Sequence, residues 1–215
     1  LNFVAIKQAL SLLVFLLFQI SFSQGIVLNG NTIECDGAAV GDSALIGGKT
    51  YYVVDRDALI SVIENGNFTY DPPGPVTSAT ATPTDLSCVC TSNITDMNDL
   101  FNRDGVYGKA NFDTDINNWD VSNVTNMYQL FANATVFNHP LNNWDVSLVE
   151  NMMNMFINTS SFDQELDSWN VGLVETMEGM FGGAASFNKS LNSWNVSNVT
   201  NLKRMFFNAS SFNQP

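Results

Sequence analysis

Trp119-Asp120-Val121-Ser122-Asn123-Val124-Thr125-Asn126-Met127-Tyr128-Gln129-Leu130-Phe131 decides the fold, because the same pattern returns every 25 residues. The tryptophans mark the period: Trp119, Trp144, Trp169 and Trp194. Three residues before them stand Ile116, Leu141, Leu166 and Leu191, and two after them Val121, Val146, Val171 and Val196. Farther on come two phenylalanine columns, Phe131, Phe156, Phe181 and Phe206, then Phe137, Phe162, Phe187 and Phe212. A fixed period of this length marks an array of units, each too small to bury its own apolar face. Stacking the units turns each column into a ladder through the core, and the tryptophans are expected to be a buried structural ladder.

Within a unit, Met127, Leu130, Phe131 and Ala134 fall at i, i+3, i+4 and i+7, the apolar face of a short helix. Thr125, and Thr200 in the last unit, would be its N-cap. Before it, Trp119 to Ser122 alternates apolar and polar, as a half-buried strand does. The expectation is an α/β solenoid, leucine-rich-repeat-like, with one short parallel strand and one short helix in each 25-residue repeat. An incomplete unit, Ile94 to Phe101, precedes these four, the last of which is cut short, and the longer run from Phe101 to Phe112 places a surface loop at 102–109.

Leu141-Asn142-Asn143-Trp144-Asp145-Val146-Ser147, with Met152, Met155 and Phe156, and the closing Ser211-Phe212-Asn213-Gln214-Pro215, resembles the BspA-type repeat of bacterial surface proteins. The resemblance covers roughly residues 86–215 and departs from the related leucine-rich pattern at Val149, where Asn or Cys is usual. It implies an exported or surface-displayed protein, adhesive in some members.

The remaining segments fit export. Lys7 precedes an apolar run from Ala9 to Phe22, and Ser21-Phe22-Ser23 is a small-x-small cleavage pattern, so residues 1–23 read as a signal peptide. No other segment reads as a membrane span. Residues 24–70 are expected to form a small α/β cap on the array, with a helix from Arg56 to Asn65 begun by Asp55 and stopped by Gly66. Residues 71–85 form a Pro/Thr-rich linker, and the repeats occupy 86–215. Residue 1 is Leu and the chain stops within a repeat, so the sequence reads as part of a longer protein. Outside the cell a disulfide is favoured. Cys88 and Cys90 are too close in sequence to join each other without strain. Cys35–Cys90 is the expected staple, with Cys35–Cys88 the alternative.

Composition narrows the function. Asp and Glu outnumber Lys and Arg by 21 to 8, a formal charge of −13, which argues against a nucleic-acid partner. The single histidine, His139, leaves little room for histidine-based catalysis or a multi-histidine metal site. Two carboxylate pairs, Glu175 with Glu178 and Asp163 with Glu165, have the chemistry of a glycosidase, but nothing marks them as other than solvated surface. Asp120, Asp145, Asn170 and Asn195 line up one residue after each Trp. Oxygen ligands suit calcium, yet half these rungs are Asn, and stacked amides satisfy one another without a metal. No metal or cofactor is therefore expected, and no enzyme. Columns that vary between units point outward, and they offer Tyr128, Met153, Arg204 and Phe207, residue types that anchor interfaces. The reading is a non-catalytic adhesive module for an extracellular protein or glycan, with homotypic contacts open to it. The alternative is a spacer, or the accessory repeats of a larger secreted protein such as a glycan-degrading enzyme.

Overall fold

The computed structural model describes residues 26–35, 37–40, 42–65, 86, 89–102, 104–105 and 112–215. The expected signal peptide at 1–23, the expected linker at 71–85, Gly66, Cys88 and most of the expected loop at 102–109 lie outside these residues.

Regular elements gather in the N-terminal part. Strands β1 (Val27–Asn29) and β2 (Thr32–Glu34) form an antiparallel hairpin. Strands β3 (Ser43–Ile46) and β4 (Lys49–Val53) form a second one, and β4 pairs in parallel with β5 (Val89–Cys90). Helix α1 (Arg56–Asn65) is the only α-helix among the described residues. Its start follows from Asp55, whose carboxylate accepts the Ala58 N–H at 2.8 Å and so satisfies one of the helix's orphan donors. Leu59, Val62 and Ile63 turn inward and are buried.

The repeats correct the expectation of an α/β solenoid of leucine-rich-repeat type. From Phe112 to Pro215 they contain no helix and no strand; each unit is a succession of turns, and the sheets among the described residues are the two small ones just described. The reason lies in the backbone. Gln129, Asn133, Asn154, Asn158, Arg204 and Asn208 have φ between 54° and 60°, and Gly179 and Gly183 take 62° and 69°. A left-handed residue at two positions four apart in every unit cannot belong to a right-handed helix. Local bonds run three residues back instead, Leu130 N–H to Met127 C=O and Ala134 N–H to Phe131 C=O. The expected N-caps fail with the helix: Thr125 and Thr200 donate their N–H groups to Thr95 and Glu175 of the preceding unit.

Alternate N–H groups in this stretch leave the unit altogether. Met127, Gln129, Phe131 and Asn133 donate to the carbonyls of Met153's unit at Asn151, Met153, Met155 and Ile157, and the next two junctions repeat the pattern. Pairing of the parallel kind is confined to one bridge per junction, Asp96 to Asn126 to Asn151 to Thr176 to Asn201. That is seven residues after the Trp column, not at the Trp-x-Val segment where the strand is expected.

The ladders themselves fill the core. Phe131, Phe156, Phe181 and Phe206 stack with ring centroids 5.4 to 5.6 Å apart, and Phe137, Phe162, Phe187 and Phe212 at 5.9 to 6.1 Å. Trp144, Trp169 and Trp194 stack nearly parallel at 6.5 and 6.4 Å. Each of these buried indoles also donates its N–H to the previous unit, at Ile116, Leu141 and Leu166. Trp119 donates instead to Leu86 and meets Phe101 at a tilt.

Besides the β4–β5 pairing, further contacts tie the N-terminal elements to the start of the repeats. Cys35 and Cys90 are disulfide-bonded. Ile33 of β2 bridges Trp119, donating its N–H to Asn118 C=O. Arg56 at the start of α1 donates to the Asp96 and Asn98 carbonyls at 2.8 and 2.9 Å. Ser92 receives the Cys35 N–H and hydrogen-bonds the buried carboxylate of Asp120.

Two substitutions test this architecture. Trp144→Ala removes the first ring of the stacked tryptophans and the indole bond to Ile116 C=O, and should cost about 3–5 kcal/mol in chemical denaturation, as large-to-small core changes do. Asn133→Ala separates turns from helix. In a helix alanine would be favoured by roughly half a kcal/mol. In a left-handed position it should cost about 1–2 kcal/mol, while Asn133→Gly should cost less. A stabilised alanine variant would refute the turn geometry.

Candidate functional site

A repeat whose inner columns are fixed by packing can change only where its side chains leave the core. The outward columns therefore hold the candidates. Tyr128 and Met153 belong to one column, continued by Glu178 and Lys203, and both are half-buried. Each is held by the residue two before it: Asn126 Oδ1 accepts the Tyr128 N–H at 3.1 Å and Asn151 Oδ1 the Met153 N–H at 3.0 Å. These asparagines also bond each other, Asn151 Nδ2 donating to Asn126 Oδ1 at 3.0 Å. Arg204 and Phe207 are exposed, with the guanidinium 5.8 Å from the ring centroid. The structure thus brings Arg204 and Phe207 into contact.

Beside that pair lies a recess of about 390 Å³. Glycines make it. Gly179, Gly182 and Gly183 stand where the flanking units carry Asn154 and Arg204, Ile157 and Phe207, and Asn158 and Asn208. Side chains of the preceding unit bend into the vacated space: a Cβ at Gly179 would lie 2.1 Å from Asn154 Oδ1, and one at Gly183 2.4 Å from Asn158 Oδ1. An amide chain runs from Asn158 Nδ2 to Asn133 Oδ1 at 2.9 Å and stops at this gap. Glu178 closes one side, its carboxylate accepting from Asn201 at 2.8 Å and facing Lys203 at 3.8 Å. Sequence reasoning placed Arg204 and Phe207 but missed the glycines. Their signal was present, since three columns filled elsewhere empty together in one unit.

The other sequence candidates have ordinary surroundings. Asp145, Asn170 and Asn195 do not bond one another as a ladder. Each accepts the N–H two residues on, from Ser147, Gly172 and Ser197, and Asp120 does the same for Ser122. Stacked amides occur instead at Asn126–Asn151 and Asn133–Asn158. Asp163 and Glu165 both face Lys189, at 3.3 and 3.7 Å, and Glu175 is exposed. Among the described residues no group of three or more His, Cys, Asp or Glu is placed to hold a metal ion, and no helix is long and apolar enough to cross a membrane. A second, wider recess of about 440 Å³ sits where the N-terminal strands meet the repeats, between Lys49 and Tyr51 on one side and Asp115, Asn117 and Asn143 on the other.

A family model described as "Mycoplasma protein of unknown function, DUF285" matches residues 76–175 and again 143–215, more than half of the chain. No curated protein and no solved structure matches.

Proposed function

We infer that this chain, which belongs to that DUF285 family, serves as an exported, non-catalytic binding module that adheres to an extracellular protein or glycan through the outward face of its repeats. The observation that carries the reading is the division of labour within each unit. Inner columns repeat the same Trp, Val, Met and Phe, while the outward columns change from Tyr128 to Met153 to Glu178 to Lys203. A surface less constrained by packing than the core that nonetheless collects Tyr, Met, Arg and Phe has the composition of a contact surface. The resemblance to BspA-type surface repeats and the export signal read at residues 1–23 support the same placement outside the cell. Net acidity of −13 favours partners other than nucleic acid.

The deciding experiment replaces Tyr128, Met153, Arg204 and Phe207 together with alanine and measures binding of the purified protein to immobilised matrix proteins and to cells. Binding should fall by at least tenfold while the melting temperature moves by no more than a few degrees. Unchanged adhesion would clear this face, and absence of adhesion in the parent protein would leave the array as a spacer or accessory region.

A further inference from the structure

We propose that the glycine-floored recess between Asn154, Asn158, Arg204 and Phe207 is a binding site for an uncharged saccharide. The proposal rests on the adhesive reading of this face and names the ligand class for one part of it. A sugar ring presents hydroxyl groups, each both donor and acceptor, around a C–H face that is apolar. Its site must offer acceptors, donors and a flat apolar wall at once. The recess offers all three. Asn154 Oδ1 and Asn158 Oδ1 reach into it, and among the described residues neither accepts a hydrogen bond. Arg204 supplies a fork of N–H donors on its rim. The Phe207 ring, 59% exposed, is the apolar wall, and Ile157 adds a second apolar surface. The volume, about 390 Å³, lies in the range of small-molecule pockets, roughly 300–1,000 Å³.

Charge chooses between ligands of this size. Glu178 lines the recess, the Lys203 ammonium facing it is 3.8 Å away, and the whole chain carries −13. An acidic sugar or acidic peptide would meet that field unfavourably. A cationic group would meet Arg204. A neutral polyhydroxy ligand meets neither penalty.

The glycines make a clean test. Gly179 and Gly183 have left-handed backbone, and the same columns hold Asn154 and Asn158 in that conformation. Gly179→Asn with Gly183→Asn therefore fills the recess with the residue the fold already accepts there. The full chain is passed over an immobilised panel of neutral hexose and N-acetylhexosamine oligosaccharides, with sialylated and uronic-acid oligosaccharides beside them. Neutral members should bind, the double variant should bind them at least tenfold more weakly at an unchanged or higher melting temperature, and Phe207→Ala, a surface change, should weaken them to a similar degree. No binding to any neutral member, binding confined to acidic members, or binding that survives both variants would overturn the proposal. If the parent chain adheres to matrix proteins or cells yet ignores neutral saccharides, this proposal falls alone. If it adheres to nothing, the adhesive reading falls with it.

Discussion

The structure depends on the direction of its hydrogen bonds between units. From Met127 to Asn133 every second N–H points to the following unit, and the carbonyls of Asn126, Tyr128 and Leu130 point to the preceding one, where Met97, Asp99 and Phe101 donate to them. Successive units therefore fit in one orientation only, donors to acceptors. The first unit shows what this demands of a cap. Its Asp96 and Asn98 carbonyls face away from the array, and a buried carbonyl without a donor is costly. Arg56 meets both with one guanidinium, from the first residue of α1. The helix is thus placed by an electrostatic requirement at the array's edge as much as by burial of Leu59 and Ile63.

Aromatic stacking and this bonding reinforce each other. A ring that repeats in one column needs its backbone in register, and the forward N–H bonds hold that register residue by residue. In return the stacked rings exclude water from those bonds, where an amide hydrogen bond is stronger than in solvent. The tryptophans join the two systems, since each stacked indole also donates across the junction. Burying a ring of this size removes on the order of 200 Å² from water, and the indole N–H would lose much of that gain if left unpaired.

The sequence disclosed some of this and hid the rest for a physical reason. The columns were legible, because burial selects residue type and the period is rigid. So was α1, with Asp55 as its cap and limits at Arg56 and Asn65. The misreading came from Met127, Leu130, Phe131 and Ala134. A helix puts such a set on one face, but so does a chain that turns every three or four residues. The residues between them distinguish the two. Asn133, Asn154, Asn158 and Asn208 are the side chains that best tolerate left-handed backbone, and Gly179 and Gly183 share their columns. Amide or glycine at a spacing of four within an apolar period is a turn signal. Gln129 and Arg204 obscured it by holding the same conformation with long side chains. The single-bridge pairing at Asn126 left no alternation to read, and the one at Trp119 to Ser122 proved to be the approach to a turn capped by Asp120.

The glycine recess follows from the same rules. Left-handed columns accept either Asn or Gly at little backbone cost, so exchange between them is the substitution the array tolerates most freely. What changes is the surface. Asparagine continues the amide chain and fills the groove between units, as Asn133 and Asn158 do; glycine interrupts the chain and opens the groove, as at Gly183. Gly182 widens the opening by removing the side chain that Ile157 and Phe207 supply in the neighbouring units. Because the inner ladders are indifferent to these exchanges, a repeat of this kind can move a pocket along its outer face one unit at a time without disturbing its core.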